Sequence, residues 1–247
     1  MARTFQTPDW QSYRMEYARP HEVLEPQANE ITVVAAALEV LRAEGILPHT
    51  RYDAARFLAH RQAVAEHFEI PWTAITPRMQ RLLYAITAIT QPANLIAAGV
   101  FCGNTFISNA GAAVGPGSSY RARQCIGIEI KPDEAARAEQ NVRKIDPTGI
   151  ARVVAADAIP FCRDFADPIH LLYLDADGTG TQGKGVYLDI LEASLDKMPP
   201  GSIVLAHNSV NAADQLRHYL AFVRDAKNMR ASVHVVFDGE GLEVTAK

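Results

Sequence analysis

The chain has few cysteines, no long apolar run and no excess of positive charge. Its three cysteines, Cys102, Cys125 and Cys162, are far apart in apolar stretches without metal-ligand spacing, which indicates reduced core residues. The longest apolar stretch, Ile31 to Leu41, is too short to span a bilayer. A net charge of −4 gives no reason to expect nucleic acid or a membrane surface as a partner.

The sequence also shows no sign of targeting or repetitive segments. The first ten residues are polar and predict no secretory signal, and no internal repeat or low-complexity segment is present. With 48% hydrophobic and 21% charged residues, the composition is that of an ordinary globular protein. We therefore expect a cytoplasmic protein with a small-molecule partner, for which a homodimer is one compatible assembly.

The chain divides into two parts with different patterns. Residues 1–28 are polar, contain three prolines and predict an extended or loosely helical arm. Helical patterns follow at Glu30–Ala43 and Tyr52–Phe68, and a third helix begins at the Thr76–Pro77 cap. We expect residues 1–75 to form an N-terminal arm and a helical cap over the substrate side of the second part, residues 76–247. The aromatic residues of this section offer surface for a small apolar or cationic ligand, although packing against the core is their commoner use: Trp10, Tyr13, Tyr17 and Trp72.

After Pro92 short apolar runs alternate with amphipathic segments, which predicts an α/β fold with a mostly parallel sheet covered on both faces. The final two strands are joined by Asp238–Gly241, so the last strand should be antiparallel. Strands are predicted at 94–98, 124–130, 151–155, 169–174, 201–206, 231–237 and 241–245, and helices at 104–114, 132–144, 159–165, 184–197 and 211–228.

The first two of these strands carry the pattern of a nucleoside-cofactor site. The first runs into a turn containing Gly99, Phe101 and Gly103, and the second ends on the acid Glu129. Glycines let the backbone approach a ligand, and a carboxylate at the next strand end accepts hydrogen bonds from ribose hydroxyls. The spacing lacks the third glycine of dinucleotide sites, which favours S-adenosylmethionine (SAM) over NAD. Asp157, after the third strand, is either an adenine ligand or a plain helix cap.

Six motifs from Thr76 to Lys247 resemble, in the correct order, the cation-dependent O-methyltransferases of the catechol and caffeoyl-CoA type. This resemblance implies a Rossmann-like class I methyltransferase fold with a seven-stranded sheet and SAM as cofactor. The motifs are Ile75–Leu83, Gly99–Gly103, Ile128–Pro132, Leu172–Asp177, Pro200–Asn208 and Gly241–Thr245.

Three positions depart from the family pattern. Ala97 stands where the family has an acid before the first glycine, and His207 replaces an aspartate after the fifth of the family's strands. Gly178 stands at the place of the catalytic lysine. The resemblance therefore implies an O-methyltransferase whose metal and lysine positions are altered.

The resemblance places Asp175, His207 and Asn208 together as a catalytic and metal-binding set, with Asp175 also near the cofactor. Three roles stay open for His207: a metal ligand, a general base titrating near pH 6–7, or a hydrogen-bond donor to substrate or SAM. Tyr187 is a further catalytic candidate beside a glycine-rich loop. Lys184 in that loop could replace the missing lysine, but we expect it to be a solvated surface charge.

The predicted function is SAM-dependent transfer to a small molecule, most simply O-methylation. One alternative is intramolecular cyclisation of SAM to azetidine-2-carboxylate and methylthioadenosine, which requires no metal and no second substrate. A second alternative is a catalytically silent SAM-binding protein. The products formed from SAM alone distinguish these hypotheses.

Overall fold

A computed structural model describes residues 3–71 and 75–247. Its described residues form one eight-stranded sheet in the order β1-β7-β8-β6-β5-β2-β3-β4, in which β8 runs antiparallel to both neighbours and the other pairs are parallel. The strands are β1 Arg3–Gln6, β2 Asn94–Ala98, β3 Gln124–Glu129, β4 Ala151–Ala155, β5 Leu171–Leu174, β6 Ile203–His207, β7 Ala231–Val236 and β8 Leu242–Ala246.

The expected α/β fold with its antiparallel last strand is confirmed, but the sheet has one more strand than the seven predicted. Residues Arg3–Gln6 of the predicted arm pair in parallel with β7, from Arg3 opposite Val233 to Gln6 opposite Val236. This edge strand is mostly exposed and has no apolar alternation. Its conformation comes from the free edge of β7, which local sequence patterns do not report.

The helices agree with the predicted positions, but the fourth, seventh and eighth are shorter than predicted, and the first begins at Gln27, inside the predicted arm. Asp53 caps α2 by accepting from the backbone nitrogens of Ala55 and Arg56, and Thr76 caps α3 ahead of Pro77. The helices are α1 Gln27–Ala43, α2 Ala54–His67, α3 Pro77–Thr90, α4 Asn104–Ala110, α5 Pro132–Ile145, α6 Ala158–Asp164, α7 Val186–Ser194 and α8 Arg217–Val223.

Alternating residues of the central strand β2 divide the core into two halves. Leu95 and Ala97 belong to the cluster formed with α1 to α5, whereas Ile96 and Ala98 belong to the cluster with α6 to α8. The N-terminal helices α1 and α2 therefore pack into the same core as α3 and the sheet. No helix among residues 3–71 and 75–247 is long and apolar enough to cross a membrane.

Candidate active site

A cavity of about 510 Å³ lies at the carboxyl edge of the parallel strands. The last residues of β3 and β6 contribute Glu129 and His207 to its walls. The turns after β2, β4 and β5 contribute Gly99, Asp157 and Asp175. Carboxyl ends of parallel strands meet at one edge of a sheet, so residues distant in sequence converge there. The volume is within the range of small-molecule sites.

The β2–α4 turn explains the two glycines predicted to approach a cofactor. Gly99 has a φ of +79°, and a Cβ at this position would lie 2.4 Å from the backbone of Ala176. Gly103 has a φ of +87° and stands at the N-cap of α4. The backbone after β2 therefore packs directly against the backbone after β5, and at residue 99 only glycine allows this contact.

Glu129 is the buried acid at the end of β3, and its carboxylate is held on both oxygens. Oε2 accepts from the backbone nitrogen of Phe101 at 2.9 Å, and Oε1 accepts from that of Lys131 at 3.1 Å. The side chain thus links the glycine turn to the start of α5. Each oxygen has a further lone pair available for a ligand hydroxyl.

Asp157 acts as a helix cap and also lines the cavity. Its Oδ1 accepts from the backbone nitrogen of Ile159 at 2.9 Å, at the start of α6. Because Asp157 also lines the cavity, a contact with adenine is compatible with the structure and stays a prediction.

A chain of alternating charges crosses the other end of the cavity. Asp175 Oδ1 lies 3.0 Å from Lys184 Nζ, and Asp175 Oδ2 lies 3.2 Å from His207 Nδ1. His207 Nε2 lies 3.0 Å from Oε2 of Glu240, in the turn between β7 and β8. Two cations and two carboxylates thus follow one another, with His207 buried and the other three side chains partly buried.

The carboxylates determine the charge of His207. Burial alone would lower its pKa, but Asp175 and Glu240 on opposite ring nitrogens together raise the pKa of His207 to about 10. Burial would raise the pKa of Asp175, but the neighbouring cations His207 and Lys184 lower it. The raised pKa favours the imidazolium form of His207 at neutral pH and does not support the hypothesis of a general base titrating near pH 6–7.

The residues expected to bind a metal do not fit one. Both oxygens of Asp175, the anionic member of the set, face the cationic groups of Lys184 and His207. These charges repel a divalent cation, and a protonated imidazole has no lone pair to donate. Within the described part of the chain, no group of three or more His, Cys, Asp or Glu residues is placed to hold a metal. Asn208 lines the cavity with a φ of +62°.

One prediction for the β5–α7 region is wrong. Lys184 is not a solvated surface charge, because its ammonium binds the carboxylate and the carbonyl oxygen of Asp175 and its side chain is 14% exposed. Tyr187 is fully buried, packs edge-on against Tyr219 and has its ring centroid 5.8 Å from Lys184 Nζ, so its catalytic role stays a prediction. The loop before α7 brings Lys184 inward and directs Tyr187 into the core.

Sequence reasoning missed Glu240 and gave Tyr17 only a general role as aromatic surface. The sequence pattern identified Glu240 only as part of a turn. No local signal marks a turn residue as the partner of His207, which lies in another strand. The Tyr17 hydroxyl donates to Glu240 Oε1 at 3.3 Å, and Tyr17 lines the cavity.

The predicted helical cap does not roof the site. The cavity wall includes Tyr17 and Ile75 from the N-terminal section but no residue of α1 or α2. Those helices bury their apolar faces against α3 and the sheet, which leaves them beside the site. Of the aromatic residues expected at the substrate, Tyr13 is buried under Arg78, and Trp72 lies outside the described residues.

Comparison with known proteins agrees with this architecture. Residues 96–209 match the family model of a methyltransferase domain. No curated protein matches the chain in sequence. This central part of the chain is therefore similar to a methyltransferase domain, in agreement with the class predicted from the motifs.

Solved structures share the fold at low sequence identity. An O-methyltransferase from Bacillus cereus, in complex with SAH, has 17% identity and a TM-score of 0.56 over 88% of this chain and 100% of that one. TomG, an O-methyltransferase from Streptomyces achromogenes, was solved with SAM and has 18% identity and a TM-score of 0.55 over 80% and 91%. The SAH-bound methyltransferase PaMTH1 of Podospora anserina has 12% identity and a TM-score of 0.58 over 92% and 99%. Neither the cyclisation nor the silent-protein hypothesis gains support from these similarities.

Proposed function

We propose that this protein is a SAM-dependent O-methyltransferase of a small molecule. The observation that carries the proposal is one cavity with two chemically different ends. A buried carboxylate and a glycine turn form one end at β2 and β3, and a cluster of paired charges forms the other end at β5 and β6. The SAM and SAH complexes of the similar O-methyltransferases support the choice of cofactor.

The cofactor is held by residues of the first end. Glu129 accepts hydrogen bonds from the ribose hydroxyls, and the turn from Gly99 through Phe101 to Gly103 lies against the cofactor. Asp157, which lines the same cavity, would accept a hydrogen bond from the adenine amine. These assignments use the free lone pairs of Glu129 and the close backbone packing at Gly99.

The charged end serves the acceptor. When SAM is bound, its methyl group passes to the acceptor oxygen as the C–S bond breaks, and SAH and a proton are released. Lys184 and His207 stabilise the negative charge that develops on the acceptor hydroxyl, because paired but buried cations keep a strong local field. Asp175 and Glu240 hold these two cations in position, and Asn208 adds a polar side chain to the wall.

The remaining proposals concern the setting of the reaction. Residues 76–247 form the SAM-binding domain, to which residues 1–75 contribute Tyr17 and Ile75 at the site. The net charge of −4 favours a small-molecule partner over nucleic acid. Three buried free cysteines favour the reducing cytoplasm. Sedimentation measurements test the homodimer.

The function is tested with methyl-labelled SAM and a panel of phenol, catechol, 3,4-dihydroxybenzoate and lactate. We expect SAH and a labelled methyl ether from at least one acceptor, and we expect EDTA to leave the rate unchanged because the charged end excludes a metal. Methylthioadenosine formed from SAM alone would contradict methyl transfer. A rate abolished by EDTA and restored by Mg²⁺ or Mn²⁺ would contradict the role of the two side-chain cations.

A further inference from the structure

The segment between β1 and α1, residues 7–26, forms neither helix nor strand, yet it follows one defined path over the protein. Irregular connections longer than about 12–15 residues are uncommon in compact domains and usually have a function. Its path is set by side-chain contacts to the start of α3.

One arginine anchors both ends of this segment. The guanidinium of Arg78 binds Asp9 through Nη2 at 2.9 Å and Glu25 through Nε at 2.7 Å. The ring of Tyr13 lies under the same guanidinium at 3.7 Å. The side chains of Arg78 and Glu25 are only 4% and 10% exposed, so removing one partner of this pair is costly, whereas the Asp9 side chain is 46% exposed. We call residues 9–25, closed by this arginine, the strap.

The middle of the strap reaches the charged end of the cavity. Tyr17 is a large aromatic residue that remains 49% exposed, and its hydroxyl is held by Glu240. The turn that carries Glu240 is fixed to the same helix start, because Thr76 donates to Asp238 Oδ2 at 2.7 Å. The start of α3 therefore positions both the strap and the turn it touches.

We infer that Tyr17, in the middle of the strap, forms part of the acceptor-side wall of the cavity and determines which acceptors the enzyme uses. Tyr17 and Glu240 lie beside His207 at the end of β6, whereas Glu129 lies at the end of β3, across β5 and β2. The Tyr17 ring is partly exposed and its hydroxyl is already held, so it can contact an acceptor with little further loss of conformational freedom on binding. The inference rests on the proposed function, because it assigns Tyr17 to the acceptor end and not to the cofactor end.

The role of Tyr17 is tested by kinetics on the acceptor panel. In Tyr17→Ala we expect the ratio of kcat/KM between two accepted compounds to change by at least about tenfold, while the Kd for SAH stays within about twofold. Tyr17→Phe keeps the ring and should preserve the wild-type order of acceptors. Val23→Ala, at a strap residue that is 83% exposed, is the matched control and should behave as wild type. An unchanged order of acceptors in Tyr17→Ala, or an equal loss of SAH affinity, would overturn the inference.

The anchoring of the strap is tested without turnover, by trypsin cleavage after the exposed Arg14. Asp9→Asn and Glu25→Gln each weaken one end, so the release of residues 1–14 should speed up by about tenfold, and Val23→Ala should leave it unchanged. Equal cleavage rates in all variants would show that Arg78 does not anchor the strap. Wild-type protein that binds SAH but methylates no panel compound would contradict the proposed function itself, whereas failure of the Tyr17 inference alone leaves wild-type turnover intact.

Discussion

Two carboxylates on either side of β2 have different surroundings in the same cavity. Glu129, at the end of β3, accepts from two backbone nitrogens and faces no side-chain cation among its described partners. Asp175, after β5, accepts from Lys184 and His207. The two backbone donors leave lone pairs on the Glu129 oxygens for donors from a ligand, so Glu129 suits hydroxyl groups. Asp175 instead holds two cationic side chains in position.

Glu129→Ala should weaken SAH binding by about 30- to 150-fold, roughly 2–3 kcal/mol, since a charge-assisted interaction in a buried site is lost. Calorimetric titration with SAH measures this change. Asp133→Ala, which removes an exposed carboxylate at the start of α5, is the control and should bind SAH like the parent. Affinity of Glu129→Ala within threefold of the parent would mean that the ribose lies elsewhere.

His207 should stay protonated throughout the neutral range, because its pKa is raised to about 10. A raised pKa in the folded state stabilises the protein fully below the ordinary value of about 6.5, and this contribution is lost as the pH rises through about 10. NMR spectra of histidine-labelled protein, with His207→Gln for assignment, should show no titration of this ring between pH 5.5 and 8. A midpoint near pH 6–7 would restore the general-base hypothesis.

At the scale of elements, the site depends on how closely β2 approaches β5 beyond the strand ends. The glycine pattern predicted a close approach to a cofactor, and the structure shows that the backbone of Ala176 also lies close to Gly99, at the edge of the cavity. Gly99 therefore has a packing role that a reading of cofactor motifs alone does not contain.

Gly99→Ala should reduce SAH affinity by at least about tenfold and also destabilise the fold, because the new Cβ would lie 2.4 Å from backbone atoms of Ala176. Gly201→Ala is a matched control, since Gly201 has a φ of +87° with no atom within 4 Å of the added Cβ. The control should lose only about 1 kcal/mol of stability from backbone strain and bind SAH normally. Equal SAH affinities for the two variants would contradict the close approach as the reason for glycine at residue 99.

At the scale of the whole molecule, the N-terminal helices are attached through a buried histidine. His60 of α2 is 3% exposed, stacks on Tyr84 of α3 with ring centroids 5.8 Å apart, and lies against Gly111 and Gly117. Burial, with a smaller effect of the Arg61 charge, lowers the pKa of His60 to about 4. The contact that joins α2 to the core thus requires a neutral imidazole.

The free energy of unfolding should fall by about 3 kcal/mol between pH 7 and pH 4 on account of His60. The depressed pKa makes this stability complete above about pH 6.5 and lost as the pH falls towards 4, since only the unfolded chain gains the proton. Urea unfolding of wild type and His60→Leu should show a smaller pH dependence in the variant, and His67→Gln, at an exposed histidine, should match wild type. Equal pH dependence in all three would contradict a neutral buried His60.

Much of this protein could be predicted from local patterns in its sequence. The seven strands from residue 94 onward appear where apolar runs end in turns, because a buried parallel strand needs a continuous apolar segment and a turn on either side. Glu129 and Gly99 were found for the same reason: each stands at a strand end, and strand ends in such a sheet face one edge.

The tertiary structure alone decided what depends on partners distant in the chain. β1 exists because β7 offers a free edge, and the Lys184 side chain is only 14% exposed because Asp175 pairs with its charge in the folded state. His207 was placed correctly at the tip of its strand, but its charge follows from Glu240 and Asp175, which lie 33 residues after it and 32 before it in the sequence. Local periodicity shows which face of an element is apolar. A pKa or the pairing of an edge strand depends instead on the groups that the fold brings next to that residue or strand.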